Sequence, residues 1–308
     1  MKTDALIGFS ANPEVVGVFD SASDREKLPL LEFRVDLSGT AANVATALQK
    51  LGNISHLLGL TGSDGADEDI LLQLALKKAR FSFDAVRVLD QTSIALLPVD
   101  RASRARVVGR TGKVVAEKLD AAISLVTEFA VAAPEAWRVA TGVRHSEAAL
   151  VDALFTHSRP GMRVVGPHHT SCSEKPQGFF EQVLKNADLL ILNEQEWEWL
   201  AGTAPLSGFH TLGPDLVIVT KAGRGGIFSL RGETGQFAAA RCPDKAYSAV
   251  GAGDWFLGGL IHSFLQSGLN VKNLDVHALH ACLSFAARVA AKKITMPGGG
   301  NGPMLAEL

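Results

Sequence analysis

The feature that most constrains the fold is a repeated alternation of short apolar runs with longer segments of helical periodicity. The apolar runs are too short for helices and lack polar alternation, which is typical of strands buried on both faces. They are Ala5–Phe9, His56–Leu60, Val139–Gly142, Arg163–Val165, Leu189–Leu192 and Leu216–Thr220. Apolar residues recur at helical spacing in Ala41–Leu51, Glu68–Ala79, Glu147–His157, Phe179–Ala187, Asp254–Gln266 and Val276–Ala291. Because such repetition places parallel strands side by side under two layers of helices, the sequence predicts an α/β fold with a doubly wound, mostly parallel sheet.

Two stretches interrupt this rhythm. Val15–Asp36 and Asp84–Thr111 carry β-type alternation and turn residues but little helical pattern. We expect them to pair in a small sheet beside the main one, forming a discontinuous β lid of residues 12–36 and 84–111. The core domain would then comprise residues 1–11, 37–83 and 112–308.

The charge balance argues against several classes of protein. The chain has 308 residues, with 30 Lys and Arg against 32 Asp and Glu, so its formal net charge is −2. No global basic field draws it to nucleic acid or to an anionic membrane. The first residues lack a continuous apolar signal region, and no stretch approaches the roughly 18 apolar residues of a membrane span. The three cysteines are far apart, as in reduced proteins. We therefore expect a cytoplasmic protein without nucleic-acid or membrane partners.

The strongest local signal is Val250-Gly251-Ala252-Gly253-Asp254, which opens an apolar helix. Glycines let backbone N–H groups converge on a bound anion, and a helix N-terminus adds positive potential. Asp254 would lie beside any phosphate held there. A plain glycine turn with an acidic residue in the first helical turn would give the same pattern.

Three weaker motifs accompany it, and each has an ordinary structural interpretation. Gly39 to Asn43 begins a helix with small residues, which suits tight packing or a close approach to a ligand. Asn193 and Glu196 follow a strand at a spacing that suits a hydrated Mg²⁺ or a helix cap. Thr220–Gly226 lies between two apolar runs as a hairpin turn or a loop that contacts a nucleotide. No Walker A motif is present.

In this order and at these separations, the four motifs resemble those of the PfkB, or ribokinase-like, carbohydrate kinase family. Gly59–Asp67 is also similar to the G-x-D-x-x-G segment of that family. The resemblance implies an ATP-dependent kinase that phosphorylates a hydroxyl of a sugar or sugar-like molecule, with Mg²⁺. It implies Asp254 as catalytic base and the N–H groups of Gly251, Ala252 and Gly253 as the anion hole.

The resemblance also assigns the remaining site residues. Asn193 and Glu196 would organise Mg²⁺ and its waters, with Asn193 also near the nucleotide. The nucleotide site would include Thr220, Gly223 and Gly225. The substrate would be held by Asn12, Gly39 and Asn43, where Asn12-Pro13 stands in place of a substrate-binding aspartate and Glu14 is the nearest acid.

Several positions depart from the family pattern. Ser38 replaces the first of two glycines, and Ala222 replaces a glycine of the nucleotide loop. Ser248-Ala249 replaces the Asp-Thr that opens the last motif. Many members are activated by K⁺ with that aspartate among its ligands, so the neutral Ser248 predicts little or no activation by K⁺. These departures leave the identity of the substrate open.

The segment Asp100–Arg106 is the most basic in the chain. It is either a solvated hairpin tip, as charged turns commonly are, or the source of an arginine that points inward and meets a phosphate. In the second case Arg106 is the candidate, because guanidinium groups bind phosphate in bidentate fashion. The lysine common in phosphosugar-specific relatives is missing from Gly39–Asn43, which favours an unphosphorylated sugar or nucleoside. A nucleoside kinase of the same fold and a catalytically weak sugar-binding regulatory protein are the alternatives. A homodimer formed through the lid is a further expectation. The adjacent His168 and His169 are predicted to lie in a polar loop.

Overall fold

The structure is a computed structural model that describes residues 3–19, 30–62, 66–100, 107–156, 162–201, 205–242 and 246–308. The strands are β1 (Ala5–Phe9), β2 (Asn12–Phe19), β3 (Leu30–Ser38), β4 (Ser55–Thr61), β5 (Ser82–Arg87), β6 (Ile94–Asp100), β7 (Val108–Arg110), β8 (Trp137–Val143), β9 (Arg163–Pro167), β10 (Leu189–Asn193), β11 (Leu216–Thr220), β12 (Gly226–Leu230) and β13 (Glu233–Phe237). The α-helices are α1 (Thr40–Lys50), α2 (Ala66–Leu76), α3 (Leu119–Ala132), α4 (Ala148–Phe155), α5 (His169–Glu174), α6 (Phe179–Leu184), α7 (Glu194–Ala201), α8 (Ala252–Ser267) and α9 (Val276–Lys293).

The larger sheet has nine strands in the order β13-β12-β11-β10-β9-β8-β1-β4-β5. From β5 to β11 every neighbouring pair is parallel, and β12 and β13 complete the edge as antiparallel strands. The chain runs outward from β1 in both directions, so the carboxyl ends of neighbouring strands meet at one edge where the winding changes direction. The predicted doubly wound, mostly parallel sheet is confirmed.

Both faces of this sheet are buried, which explains the continuous apolar runs in the sequence. Successive strand residues such as Leu6 and Ile7, or Leu57 and Leu58, point into two different hydrophobic clusters. One cluster contains residues of α1, α8 and α9, and the other contains residues of α3, α4 and α6. Among the described helices, none is both long and apolar enough to cross a membrane.

The smaller sheet has four strands in the order β3-β2-β6-β7. Its strands come from the two interruptions of the βα pattern, as expected for a lid. One bound differs, because β5 pairs in parallel with β4 in the large sheet although residues from 84 onward were assigned to the lid. β5 lies at the edge of that sheet and its burial is uneven, so its sequence alternates as a half-exposed strand does. The division into a core domain and a β lid stays a prediction.

Candidate active site

Helix α8 begins at the edge of the large sheet where the parallel strands end. Gly251 precedes it with φ +80°, in the left-handed region that glycine adopts without strain. A Cβ at Gly251 would also lie 2.9 Å from the carbonyl oxygen of Gly299, in the segment that follows α9. Position 251 therefore requires glycine, and the turn places Asp254 in the first turn of the helix.

The backbone amides at this helix start are not equivalent. The N–H of Ala252 donates to the carbonyl oxygen of Ala249 at 3.1 Å and is therefore already engaged. The described part of the chain offers no acceptor to the N–H groups of Gly251 and Gly253. The N–H groups available for the predicted anion hole are therefore those of Gly251 and Gly253, and the N–H of Ala252 is excluded.

Asp254 is half-buried, and its surroundings favour the protonated form more than water does. Burial raises the pKa of Asp254 to about 7, and the carboxylate of Glu196 adds to that rise. The amide of Asn43 and the ammonium of Lys293 oppose it. Asn43 Nδ2 donates to Asp254 Oδ2 at 2.7 Å, which leaves Oδ1 as the oxygen available to a ligand.

Three cavities lie side by side around this helix start. The central cavity, about 240 Å³, contains Asp254 together with residues from the ends of β8, β9, β10 and β11. It shares Thr40, Gly142 and His168 with a second cavity of about 300 Å³, which we call the polar cavity. A third cavity also shares residues with the central one. The three cavities therefore form one continuous depression along the carboxyl edge of the sheet, with the central cavity between the other two.

The third, apolar cavity is the largest, at about 650 Å³. It shares Asn193, Thr220 and Gly253 with the central cavity. The predicted loop residues Gly223 and Gly225 line it, and α9 contributes a wall of small side chains, which are Ala287, Ala290 and Ala291. A flat heterocycle fits such a wall, because small residues leave room for an apolar ring system.

The polar cavity contains two of the predicted substrate residues, Asn12 and Gly39. Gly39 has φ +98°, and a Cβ there would lie 2.7 Å from the carbonyl oxygen of Ser10, so glycine is required. Asn43 lies elsewhere: it is buried in α1 and lines none of the three cavities. Arg106 lies outside the described residues, and its role stays a prediction.

Asn193 and Glu196 form a reciprocal cap at the start of α7. The N–H of Asn193 donates to Glu196 Oε2 at 2.8 Å, and the N–H of Glu196 donates to Asn193 Oδ1 at 2.9 Å. Both residues also line the central cavity, so Glu196 Oε1 remains available there. The described residues contain no group of three or more His, Cys, Asp or Glu side chains that could hold a metal. This donor set fits a hydrated Mg²⁺ held mainly by phosphate and water, and does not fit a metal bound by protein ligands alone.

Several residues of the depression were not found from the sequence. Arg144 and Glu147 line the polar cavity, and burial raises the pKa of Glu147 to about 7. His168, predicted to lie in a polar loop, lines both the polar and the central cavity, and burial lowers its pKa to about 4. Arg144 and His168 each directly follow a parallel strand, and this position in the sequence could have identified them as candidate site residues.

Comparison with known proteins adds to this geometry. A sequence model described as the pfkB family carbohydrate kinase matches residues 15–306. Fructokinase of Escherichia coli is 29% identical over 124 residues, and the aligned part is 38% of this chain and 38% of that protein. This match therefore covers well under two thirds of the length of that relative.

Solved structures resemble the whole chain. Phosphofructokinase-2 of Escherichia coli, in complex with potassium, superimposes with a TM-score of 0.75 at 16% identity, covering 100% of this chain and 97% of that one. Fructokinase of Xylella fastidiosa with bound ATP superimposes with a TM-score of 0.70 at 22% identity, covering 98% and 96%. At these identities the likeness establishes the fold.

Proposed function

Because this chain belongs to the pfkB family of carbohydrate kinases, we propose that it transfers the γ-phosphoryl group of ATP to a hydroxyl group of a sugar or sugar-like molecule. The observation that carries the proposal is the order of the three cavities, with Asp254 in the middle one. ATP would place its base in the apolar cavity and its γ-phosphate in the central cavity. The acceptor would occupy the polar cavity, beside Asn12 and Gly39.

The chemistry follows from where the charged groups lie. Asp254 Oδ1 would take the proton of the attacking hydroxyl as its oxygen bonds to the γ-phosphorus, while the bond to the β-phosphate oxygen breaks and ADP leaves. The N–H groups of Gly251 and Gly253, with the positive end of α8, would stabilise charge on the transferred group. Such a reaction depends mainly on positioning and electrostatic stabilisation, which this helix start would supply.

Magnesium would be held at the same place through water. Glu196 Oε1 and the side chain of Asn193 would orient the hydrated ion at the boundary of the central and apolar cavities. The ion would neutralise charge on the phosphate oxygens of ATP. Thr220, Gly223 and Gly225 would contact the nucleotide from the loop after β11.

The acceptor class is a sugar, and a nucleoside is the alternative of the same fold. The polar cavity also carries Arg110 and Arg144, so acidic sugars belong in any substrate screen together with neutral ones. A sugar-binding protein without catalysis is disfavoured, because the chain retains both Asp254 and the glycine turn before it.

A coupled assay of ADP release over neutral sugars, sugar acids, sugar phosphates and nucleosides tests the proposal. We expect one acceptor class to give turnover that depends on Mg²⁺ and that is largely lost in Asp254→Asn. Turnover of a nucleoside alone would establish the alternative. Saturable binding of a sugar without ADP release by the wild type would contradict the kinase assignment.

We also propose that two copies associate through the lid. Large apolar side chains are exposed on the small sheet, among them Leu30, Phe33 and Val108, each with more than half of its surface accessible (59%, 63% and 58%). Burying such a surface favours association. Light scattering of the purified protein tests this proposal, and a monomer mass at all concentrations would contradict it.

A further inference from the structure

A chain of buried side chains lies behind Asp254, on the side away from the cavities. Asn43 donates to Asp254, and Asn43 Oδ1 lies 3.2 Å from Ser38 Oγ. Ser38 Oγ in turn lies 3.1 Å from Glu14 Oε1, and Glu14 Oε2 accepts the N–H of Gly299 at 2.9 Å. We call Glu14, Ser38, Asn43 and Asp254 the relay.

The first three members of the relay are almost completely buried. The exposed fractions are 2% for Glu14 and 4% for both Ser38 and Asn43. None of the three lines the polar, central or apolar cavity. They therefore reach a bound substrate only through Asp254, and their effect on the reaction has to be an effect on that carboxyl group.

The hydrogen-bond donors and acceptors of the relay limit the charge states that it can adopt. The amide of Asn43 donates to Asp254, so its oxygen needs a donor, and Ser38 has a single proton to give. If Ser38 donates to Asn43, the contact between Ser38 and Glu14 needs a proton supplied by Glu14. All three contacts are then satisfied with Asp254 ionised and Glu14 protonated. If both carboxyl groups were ionised, one contact would join two lone pairs.

The opposite arrangement satisfies the same contacts. With Asp254 protonated and Glu14 ionised, the Asn43 amide would be reversed and every donor would point toward Glu14. The relay therefore holds one proton between its two ends, and the ionisation of one end is tied to the protonation of the other.

The surroundings decide which end carries the charge. Asp254 opens on the central cavity and lies in the first turn of α8, and both features favour its ionised form. The ammonium of Lys293 lies near both carboxyl groups and does not distinguish them. Burial raises the pKa of Glu14, and the Asp36 carboxylate adds to this rise. The N–H of Gly299, the hydroxyl of Ser38 and the ammonium of Lys293 lower the same pKa. The charged groups that face Glu14 are Asp36, Lys293 and Arg34, the last across Gly298, together with Asp254 through the relay.

Neither neighbouring cation forms an ion pair with Glu14. Arg34 is bonded to the carboxylates of Glu32 and Asp36. Lys293 Nζ donates to the carbonyl oxygen of Met296 at 3.2 Å, and the ion pairs of the described residues do not include it. A buried carboxyl group without an ion-pair partner is more stable in its neutral form.

We propose that Glu14 keeps a proton while Asp254 is ionised, and that Glu14 and Ser38 act as positioning residues that fix the Asn43 amide against Asp254 Oδ2 and leave Oδ1 for the acceptor hydroxyl. This proposal rests on the proposed function, in which Asp254 is the base.

Two substitutions should affect the pH dependence differently. In Glu14→Gln the amide nitrogen donates to Ser38 and the amide oxygen still accepts from Gly299, as the protonated carboxyl group does, so the pKa of Asp254 should not change. We expect the acid limb of kcat/KM to stay at the pH of the wild type. In Ser38→Ala the donor to Asn43 is lost, so we expect kcat about tenfold lower, with similar KM values and the acid limb displaced to higher pH.

Ser55→Ala is the matched control. Ser55 is 2% exposed and its hydroxyl donates to the carbonyl oxygen of Ala45 on the same helix as Asn43, at 3.2 Å, without touching the relay. It removes an equally buried hydroxyl, so it reports the general cost of that change. We expect its pH profile to match the wild type. Thermal unfolding of each variant verifies that the native fold is present.

If Glu14 were ionised together with Asp254, removing its charge would lower the pKa of Asp254. A displacement of the acid limb to lower pH in Glu14→Gln therefore overturns the proposal, as does a loss of turnover in folded Glu14→Gln as large as that in Ser38→Ala. The double variant should have the pH profile of Ser38→Ala, because Glu14→Gln changes no charge in the proposed state.

A spectroscopic measurement tests the proton directly and does not depend on turnover. On the plateau of the pH profile, the infrared spectrum of the wild type in D₂O should contain a protonated carboxyl band that Glu14→Gln removes. Absence of that band overturns the proposal. If instead the band is present and Asp254→Asn retains full turnover, the proposed function fails while the protonation of Glu14 stands.

Discussion

The raised pKa of Asp254 predicts a specific loss of activity in mild acid. The base must be ionised to accept a proton, and burial raises the pKa of Asp254 to about 7. Protonation therefore removes the active form as the pH falls through that value. Each pH unit below the pKa costs about 1.4 kcal/mol, so kcat/KM one unit below it should be about one-tenth of the plateau value, and activity should not fall on the alkaline side for this reason.

The assay is the initial rate of ADP release at low acceptor concentration and saturating Mg²⁺, in buffers of constant ionic strength. Under these conditions kcat/KM for the acceptor reports groups of the enzyme before the acceptor binds. Saturating Mg²⁺ keeps the phosphates of ATP ionised. Asp254→Asn should retain the fold and lose about 10²–10⁴-fold in kcat, and its residual rate should not follow this acid limb.

Protonation of Glu147 could also produce this acid limb, because burial raises its pKa to about 7 as well and the residue lines the polar cavity. Glu147→Gln is therefore the matched control for the position of the limb: its absolute rate can change, but the limb should stay where it is. A limb that moves with Glu147→Gln, or a kcat/KM that stays flat a full unit below the pKa, would refute the assignment of Asp254 as the titrating base.

Three further predictions concern the ions and the nucleotide. Glu196→Gln should weaken the apparent affinity for Mg²⁺ without abolishing activity, because the carboxylate acts on a hydrated ion; an unchanged Mg²⁺ titration of the rate would remove Glu196 from the site. Replacing Na⁺ by K⁺ at constant ionic strength should change the rate little, since the neutral Ser248 is a weak ligand for a hard cation, and a several-fold rise contradicts this. Ala290→Phe should place a ring in the apolar cavity and raise the KM for ATP by about tenfold or more, with the acceptor KM unaltered; an unchanged KM for ATP would move the nucleotide out of that cavity.

The strands of the large sheet were the most predictable part of the fold. Ala5–Phe9 and Leu216–Thr220 were predicted with the bounds that the structure gives. Burial on both faces forces such strands to be continuously apolar, and few other structures produce short runs of that kind. Helix α3, in contrast, was not predicted. Its residues are largely apolar with few polar interruptions, and no side-chain cap marks its start, so its periodicity is faint.

The features of the candidate site also differ in how well the sequence predicts them. Gly251 and Gly39 were found because their backbone conformations require glycine, which leaves a trace in the sequence. The partners of Asn43 could not be found in this way, since its contacts with Ser38 and Asp254 join segments far apart in the chain. Which of its neighbours a polar side chain meets is decided by tertiary packing, and a single sequence does not contain that information.

The segment after α9 has a consequence for how the protein is made. Gly299 bonds to Glu14 across 285 residues, receives the indole N–H of Trp255 at 3.0 Å, and lies against the turn at Gly251. During synthesis the large sheet can collapse while these last contacts are still missing. The turn at Gly251 and strand β2 of the small sheet are joined through Gly299 only after that segment has left the ribosome. A chain that stops before this segment should therefore form the large sheet without these contacts around Asp254.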